Sequence, residues 1–97
     1  MILFGNINKG LEQYRTTPGA ILVGVRESGE FASGHIIGVV NAPLSTISKT
    51  TLPKEQPLFL YCLLGTRSKR AAGMLKGMGY TAKSIGEISG YKGTIER

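Results

Sequence analysis

Apolar residues along this chain fall into two kinds of pattern. Two runs are continuous: Ala20-Ile21-Leu22-Val23-Gly24-Val25 and Pro57-Leu58-Phe59-Leu60-Tyr61-Cys62. A strand that is apolar in both phases is covered on both faces, as in buried parallel sheets. Other apolar residues recur at helical spacing. Ile7, Leu11 and Tyr14 predict a first helix capped at Asn6 or Asn8, and Ala71, Met74, Leu75 and Met78 predict a helix over 68–78 with Gly79 as its cap. Lys69, Arg70 and Lys76 fall on the other face of that helix, so Met74 and Met78 are expected in the core.

The intervals fill in around these elements. Ile2 to Phe4 predicts a short edge strand, and Thr16-Thr17-Pro18-Gly19 a turn. Residues 26–33 predict a short helix ended by Gly34, 38–41 a strand, 44–50 a helical piece, 82–85 the last strand and 89–95 a last short helix. Strands alternating with helices predict an α/β fold, a central, mostly parallel sheet flanked by helices on both faces. In such sheets ligands bind at the carboxyl ends of strands, and Cys62 ends the most apolar one.

Composition narrows the picture. The 97 residues make one domain, 1–97, with 41% hydrophobic residues, too many for a disordered chain. Twelve basic against six acidic residues give +6. The basic residues are dispersed apart from Arg67, Lys69 and Arg70, and are not interleaved with aromatics, so a small anion or an acidic protein surface is expected as partner, with no nucleic acid. One cysteine excludes an internal disulfide. No apolar run reaches the ~18 residues of a membrane span, and the apolar start is too short for a signal peptide. A soluble, cytoplasmic protein without membrane partners is the expectation.

The candidate chemistry lies in Cys62-Leu63-Leu64-Gly65-Thr66-Arg67-Ser68. A strand ends, a glycine-containing loop turns and a helix begins. Unpaired N–H groups of the helix start, together with loop amides, form a cradle for an anion. Gly65 relaxes the backbone, and Arg67 adds a fixed charge with a fork of donors. A thiol in that cradle ionises more readily, although a small buried cysteine is the common alternative.

These residues, with their neighbours, resemble the rhodanese family of sulfurtransferases in its small single-domain form. Residues 22–44 carry a hydrophobic strand, Val25-Arg26, Glu30-Phe31, Gly34-His35-Ile36 and Asn41-Ala42-Pro43. Residues 59–68 resemble the family's active-site signature, and Met78-Gly79-Tyr80 and Gly86 to Tyr91 its closing part. The resemblance implies that Cys62 takes a sulfane sulfur from a donor such as thiosulfate, becomes a persulfide, and passes the sulfur to a thiol, cyanide or a protein acceptor. The amides from Leu63 to Arg67 would stabilise the persulfide, and Arg67 would help bind an anionic donor. No cofactor or metal is implied.

Two other readings stay open: a non-catalytic module of the same fold that binds a partner through the loop, and a small cysteine phosphatase or arsenate reductase. Four residues separate Cys62 from Arg67 where phosphatases have five, and the chain has no Asp to act as general acid. His35 sits in a motif where it is usually structural, and Arg26 and Glu30 are expected as a structural polar pair or as loop anchors. Three positions depart from the family pattern. Gly24 replaces an Asp before Val25-Arg26, Leu63 replaces a common Arg, and Glu87 replaces a glycine near the pocket rim, where it would repel an anion if it faces inward. Restoring the carboxylate with Gly24→Asp is expected to raise sulfur transfer.

Overall fold

A computed structural model describes residues 7–62, 66–88, 91, 93, 95 and 96. Helix α1 (Ile7–Thr16) comes first, burying Ile7, Gly10 and Leu11 on one stripe. It ends where the Thr16 and Thr17 hydroxyls both donate to the Gln13 carbonyl, at 3.1 and 2.6 Å, satisfying an orphan acceptor of the last turn. Strand β1 (Ile21–Gly24) leads into the short helix α2 (Ser28–Ala32), then strands β2 (His35–Ile36) and β3 (Val40–Asn41) and a 3-10 helix (Leu44–Lys49). Strand β4 (Leu58–Cys62), helix α3 (Thr66–Gly77), strand β5 (Ala82–Glu87) and strand β6 (Ile95–Glu96) complete the order.

The sheet runs β3-β1-β4-β5 and every pairing in it is parallel. Alternation along its strands divides the core in two. On one face Val23, Leu58, Leu60 and Cys62 pack with Ile47 of the 3-10 helix and Ala71, Ala72 and Leu75 of α3. On the other, Leu22, Phe59, Tyr61 and Ile85 pack with Ile7 and Leu11 of α1. Helices therefore cover both faces, as the continuous apolar runs predict. Helix α1 lies close enough that a Cβ on Gly10 would meet Ile85 Cγ2 at 2.6 Å.

Several sequence expectations are corrected. Ile95, the end of the helix expected over 89–95, is strand instead, and β6 pairs antiparallel with β2, itself not foreseen. Two-residue strands carry too little periodicity to be read from sequence. Val40–Asn41 alone is strand where 38–41 was expected, because Gly38 adopts φ +83° in a turn. Met74 is 38% exposed rather than in the core, while Met78 packs against the first core cluster. Gly79, with φ +98°, ends α3 as expected: Tyr80 N–H reaches back to the Leu75 carbonyl at 2.9 Å. The expected edge strand at Ile2 to Phe4 and the loop residues Leu63, Leu64 and Gly65 lie outside the described residues. Among those described, no helix is long and apolar enough to cross a membrane.

Candidate active site

Parallel strands end at one edge of the sheet, and the chemistry-bearing side chains gather there. Cys62 is the last residue of β4 and is 2% exposed. Its phase directs it to the α3 face. Helix α3 starts at Thr66, two residues earlier than expected, so its first turn faces the end of β4. An N–H in a helix's first turn lacks an intrahelical acceptor, and that of Ser68 donates to Cys62 Sγ at 3.3 Å. The Ser68 side chain, fully buried, places Oγ 3.6 Å from the same sulfur and 2.7 Å from Ser84 Oγ on β5. A sulfur anion here would meet an amide dipole at the positive end of a helix and the Ser68 hydroxyl.

Arg67 is held from the far side of the site. Its Nη1 and Nη2 both bind the Glu30 carboxylate, Nη2 at 3.4 Å from Oε2. Glu30 also accepts from the Glu27 N–H at 3.0 Å, closing the first turn of α2. The Arg67 hydrogen bonds, and next the Glu27 amide, hold the Glu30 carboxyl below its ordinary range; Glu30 in turn raises Arg67. Of the two expectations for Glu30, a pair with Arg26 or a loop anchor, the contact with Arg67 fits the second. Arg26 Nε is buried without a hydrogen-bond partner among the described residues.

The remaining motif residues are structural. His35 stacks on Phe31 at 4.0 Å, donates from Nδ1 to the Phe31 carbonyl at 2.9 Å and sets Nε2 3.2 Å from Glu96. Asn41 Nδ2 donates to the carbonyls of Gly24 and Arg26 at 3.0 and 2.9 Å, fixing the chain as it leaves β1. The Tyr61 hydroxyl accepts from Ile36 N–H at 3.1 Å, and burial raises its pKa. Gly24 is buried, and a Cβ there would lie 3.3 Å from the Phe31 ring and 3.4 Å from that of Tyr61. Glu87 stands beside Cys62 in register because a bulge inserts one residue into β5 before Gly86.

Of the predicted residues, the structure brings together Cys62, Arg67 and Ser68 at one strand–helix junction, with Thr66 opening the helix. Sequence reasoning missed Ser84 and the Glu30 tether. A polar residue two positions after buried Ala82 was the available signal for Ser84.

In this parallel α/β sheet the single thiol stands at a strand's carboxyl end and faces the first turn of a helix. The chain belongs to the rhodanese-like domain family, whose model matches residues 7–93. It is 40% identical over 80 residues to uncharacterized protein YqhL of Bacillus subtilis, covering 80% of this chain and 60% of that one. It is 31% identical over 88 residues to the tRNA sulfurtransferase of Desulfurococcus amylolyticus, covering 89% of this chain but 18% of that protein. The chain thus spans less than two thirds of these curated relatives. A rhodanese-related protein from Thermoplasma volcanium superposes with a TM-score of 0.77 at 22% identity, over 90% of this chain and 93% of the other, and so shares the fold.

Proposed function

We propose that this domain is a sulfurtransferase that carries sulfane sulfur as a persulfide on Cys62. The observation that carries the reading is the Ser68 N–H aimed at Cys62 Sγ from the first turn of α3. That geometry favours an anion on sulfur before and after loading. The Cys62 thiolate attacks the outer sulfur of thiosulfate, a new S–S bond forms as the old one breaks, and sulfite leaves with the electron pair. An acceptor thiolate, or cyanide, then attacks the outer sulfur of the persulfide, and the Cys62 thiolate departs. Attack by a thiolate needs no general base, and His35, bound to Phe31 and Glu96, is not called upon.

The amides of Leu63, Leu64, Gly65, Thr66, Arg67 and Ser68 serve as the cradle for the loaded sulfur in this proposal, and Arg67, steadied by Glu30, attracts the anionic donor. The tRNA sulfurtransferase relative supports sulfur transfer as the reaction class. A reducing compartment such as the cytoplasm would supply the acceptor thiols.

The test is intact mass after incubation with thiosulfate and removal of excess. A gain of one sulfur (~32 Da), absent from Cys62→Ser and reversed by a reducing thiol, is expected. If neither thiosulfate nor an inorganic polysulfide loads the protein, the carrier reading falls and the non-catalytic module stands.

A further inference from the structure

Strand β6 is two residues long, so side-chain contacts supply much of what fastens it. It pairs with β2 at His35↔Glu96 and Ile36↔Ile95, and partly buried Ile95 packs against the second core cluster. The His35 ring is wedged at this junction. Phe31 covers one of its faces, and the side chain is only 16% exposed. Both of its nitrogens have a fixed neighbour.

Those neighbours constrain the protons on the ring. The Phe31 carbonyl can only accept, and it accepts from the Gly34 N–H at 3.1 Å as well as from His35 Nδ1 at 2.9 Å. Nδ1 therefore carries a proton. A neutral imidazole has one N–H, so Nε2 would then turn a lone pair toward Glu96 Oε1, another acceptor, 3.2 Å away. That contact is attractive only when Nε2 is protonated as well. A carboxyl proton could bridge the two, but carboxyls ordinarily lose it about two pH units below imidazole. The charges on neighbouring elements do not take Glu96's place. Glu30 of α2 meets Arg67, Glu27 just before α2 meets Ser45, and Arg26 after β1 forms no ion pair among the described residues. The Tyr61 hydroxyl of β4 is taken by the Ile36 N–H.

We propose that His35 and Glu96 form a proton-operated clasp on β6: the doubly protonated ring holds the strand to β2, and loss of the Nε2 proton loosens it. The clasp is complete at the acid end of the range in which imidazole ordinarily titrates, about pH 5 to 8, and is lost as pH rises through that range. The neutral ring keeps its one proton on Nδ1, because the Phe31 carbonyl still calls for a donor. Helix α2 and its Glu30–Arg67 contact therefore stay in place while the strand is released. Opening uncovers Ile95 and the backbone edge of β2. The device is independent of the sulfur chemistry and of whether Cys62 is loaded.

Two measurements on the whole chain test it. His35 is the one histidine in the sequence, so its ring nitrogens give a single set of signals in long-range proton–nitrogen spectra. Once the ring is neutral, the proton is expected on Nδ1 with Nε2 bare. A neutral ring protonated at Nε2 could still donate to Glu96, and would overturn the clasp. The second measurement follows the amide of residue 96, opposite His35 in register, by saturation transfer from water at pH 5.5 and pH 8. After correction for the free amide's own pH dependence, the open-to-closed ratio is expected to rise about two- to fivefold, the worth of one exposed ion pair. Glu96→Gln should abolish that rise, because the amide donates to a bare Nε2 and accepts from a protonated one. Persistence of the rise in Glu96→Gln, a parallel rise at Leu60 in the sheet centre, or no protection of residue 96 at either pH overturns the proposal.

Discussion

Ser84 Oγ lies 2.7 Å from Ser68 Oγ, so the hydroxyl facing Cys62 is itself held from the neighbouring strand. When the sulfur is ionised, Ser68 donates to it and Ser84 donates to Ser68; when the sulfur carries a proton, the chain of donors reverses. Ser84→Ala removes the outer link. It is expected to slow alkylation of Cys62 by iodoacetamide at pH 7 about two- to tenfold, the worth of one net hydrogen bond. Ser84→Thr keeps the hydroxyl and should restore the rate. An unchanged rate in a folded Ser84→Ala protein would show that Ser68 needs no help.

The Arg67–Glu30 pair makes part of the site acid-sensitive. Glu30 titrates below its ordinary value of 4.5 in the folded chain, chiefly through Arg67. Its contribution is therefore complete above that value and is lost as pH falls through the lowered one. Denaturant midpoints measured from neutral pH downward should fall more steeply in the wild type than in Glu30→Gln. At neutral pH the same variant frees Arg67 and should raise KM for thiosulfate.

Glu87 stands in register beside Cys62, and a carboxylate facing the site from there would oppose an approaching anion. Glu87→Gln is expected to raise the rate of sulfur uptake from thiosulfate about two- to fivefold at low salt. The gain should shrink as ionic strength rises, since salt screens the repulsion. Stopped-flow loading at two salt concentrations checks both statements.

Gly24→Asp meets an obstacle that the sequence does not reveal. The position is buried, and a Cβ there would stand 3.3–3.4 Å from the rings of Phe31 and Tyr61, so Phe31 would have to give way by a few tenths of an ångström before any larger group fitted. The substitution is expected to lower stability by about 1–3 kcal/mol, which would mask any gain in transfer. Adding Phe31→Leu should recover part of that loss, and a double-mutant cycle in denaturant would measure the coupling.

Gly10 is required for a different reason. Alanine suits a helix interior better by about 1 kcal/mol, yet its Cβ would press on Ile85, including the backbone Cα at 3.3 Å. Helix α1 would have to lift from β5. Gly10→Ala is expected to destabilise the chain by about 1–3 kcal/mol, read from its denaturant midpoint.

The long elements were legible because burial leaves a mark on sequence. Residues 57–62 are apolar in both phases, and the strand they form is covered on both faces. Helix α3 followed from its spacing, and the Cys62 junction from a cysteine preceding a glycine-containing turn. What was not legible depends on partners distant in the chain. Glu30 and Arg67 are 37 residues apart, and nothing local distinguishes Glu30 from a solvated charge. Strands β2 and β6 exist because they pair with each other across the chain. Met74 fits the apolar stripe of α3, yet the groove beside the 3-10 helix leaves it uncovered.

The depth of Cys62 imposes an order of events on the proposed cycle. Unloaded, the residue is all but sealed, and only a slender donor can deliver an atom to it. Loading adds an S–S bond of about 2.05 Å and so sets the reacting atom that distance beyond Sγ. An acceptor arriving early would find nothing within reach; one arriving late would find sulfur at the mouth. The empty protein would thus be hidden from its acceptors, and futile encounters would be suppressed by distance.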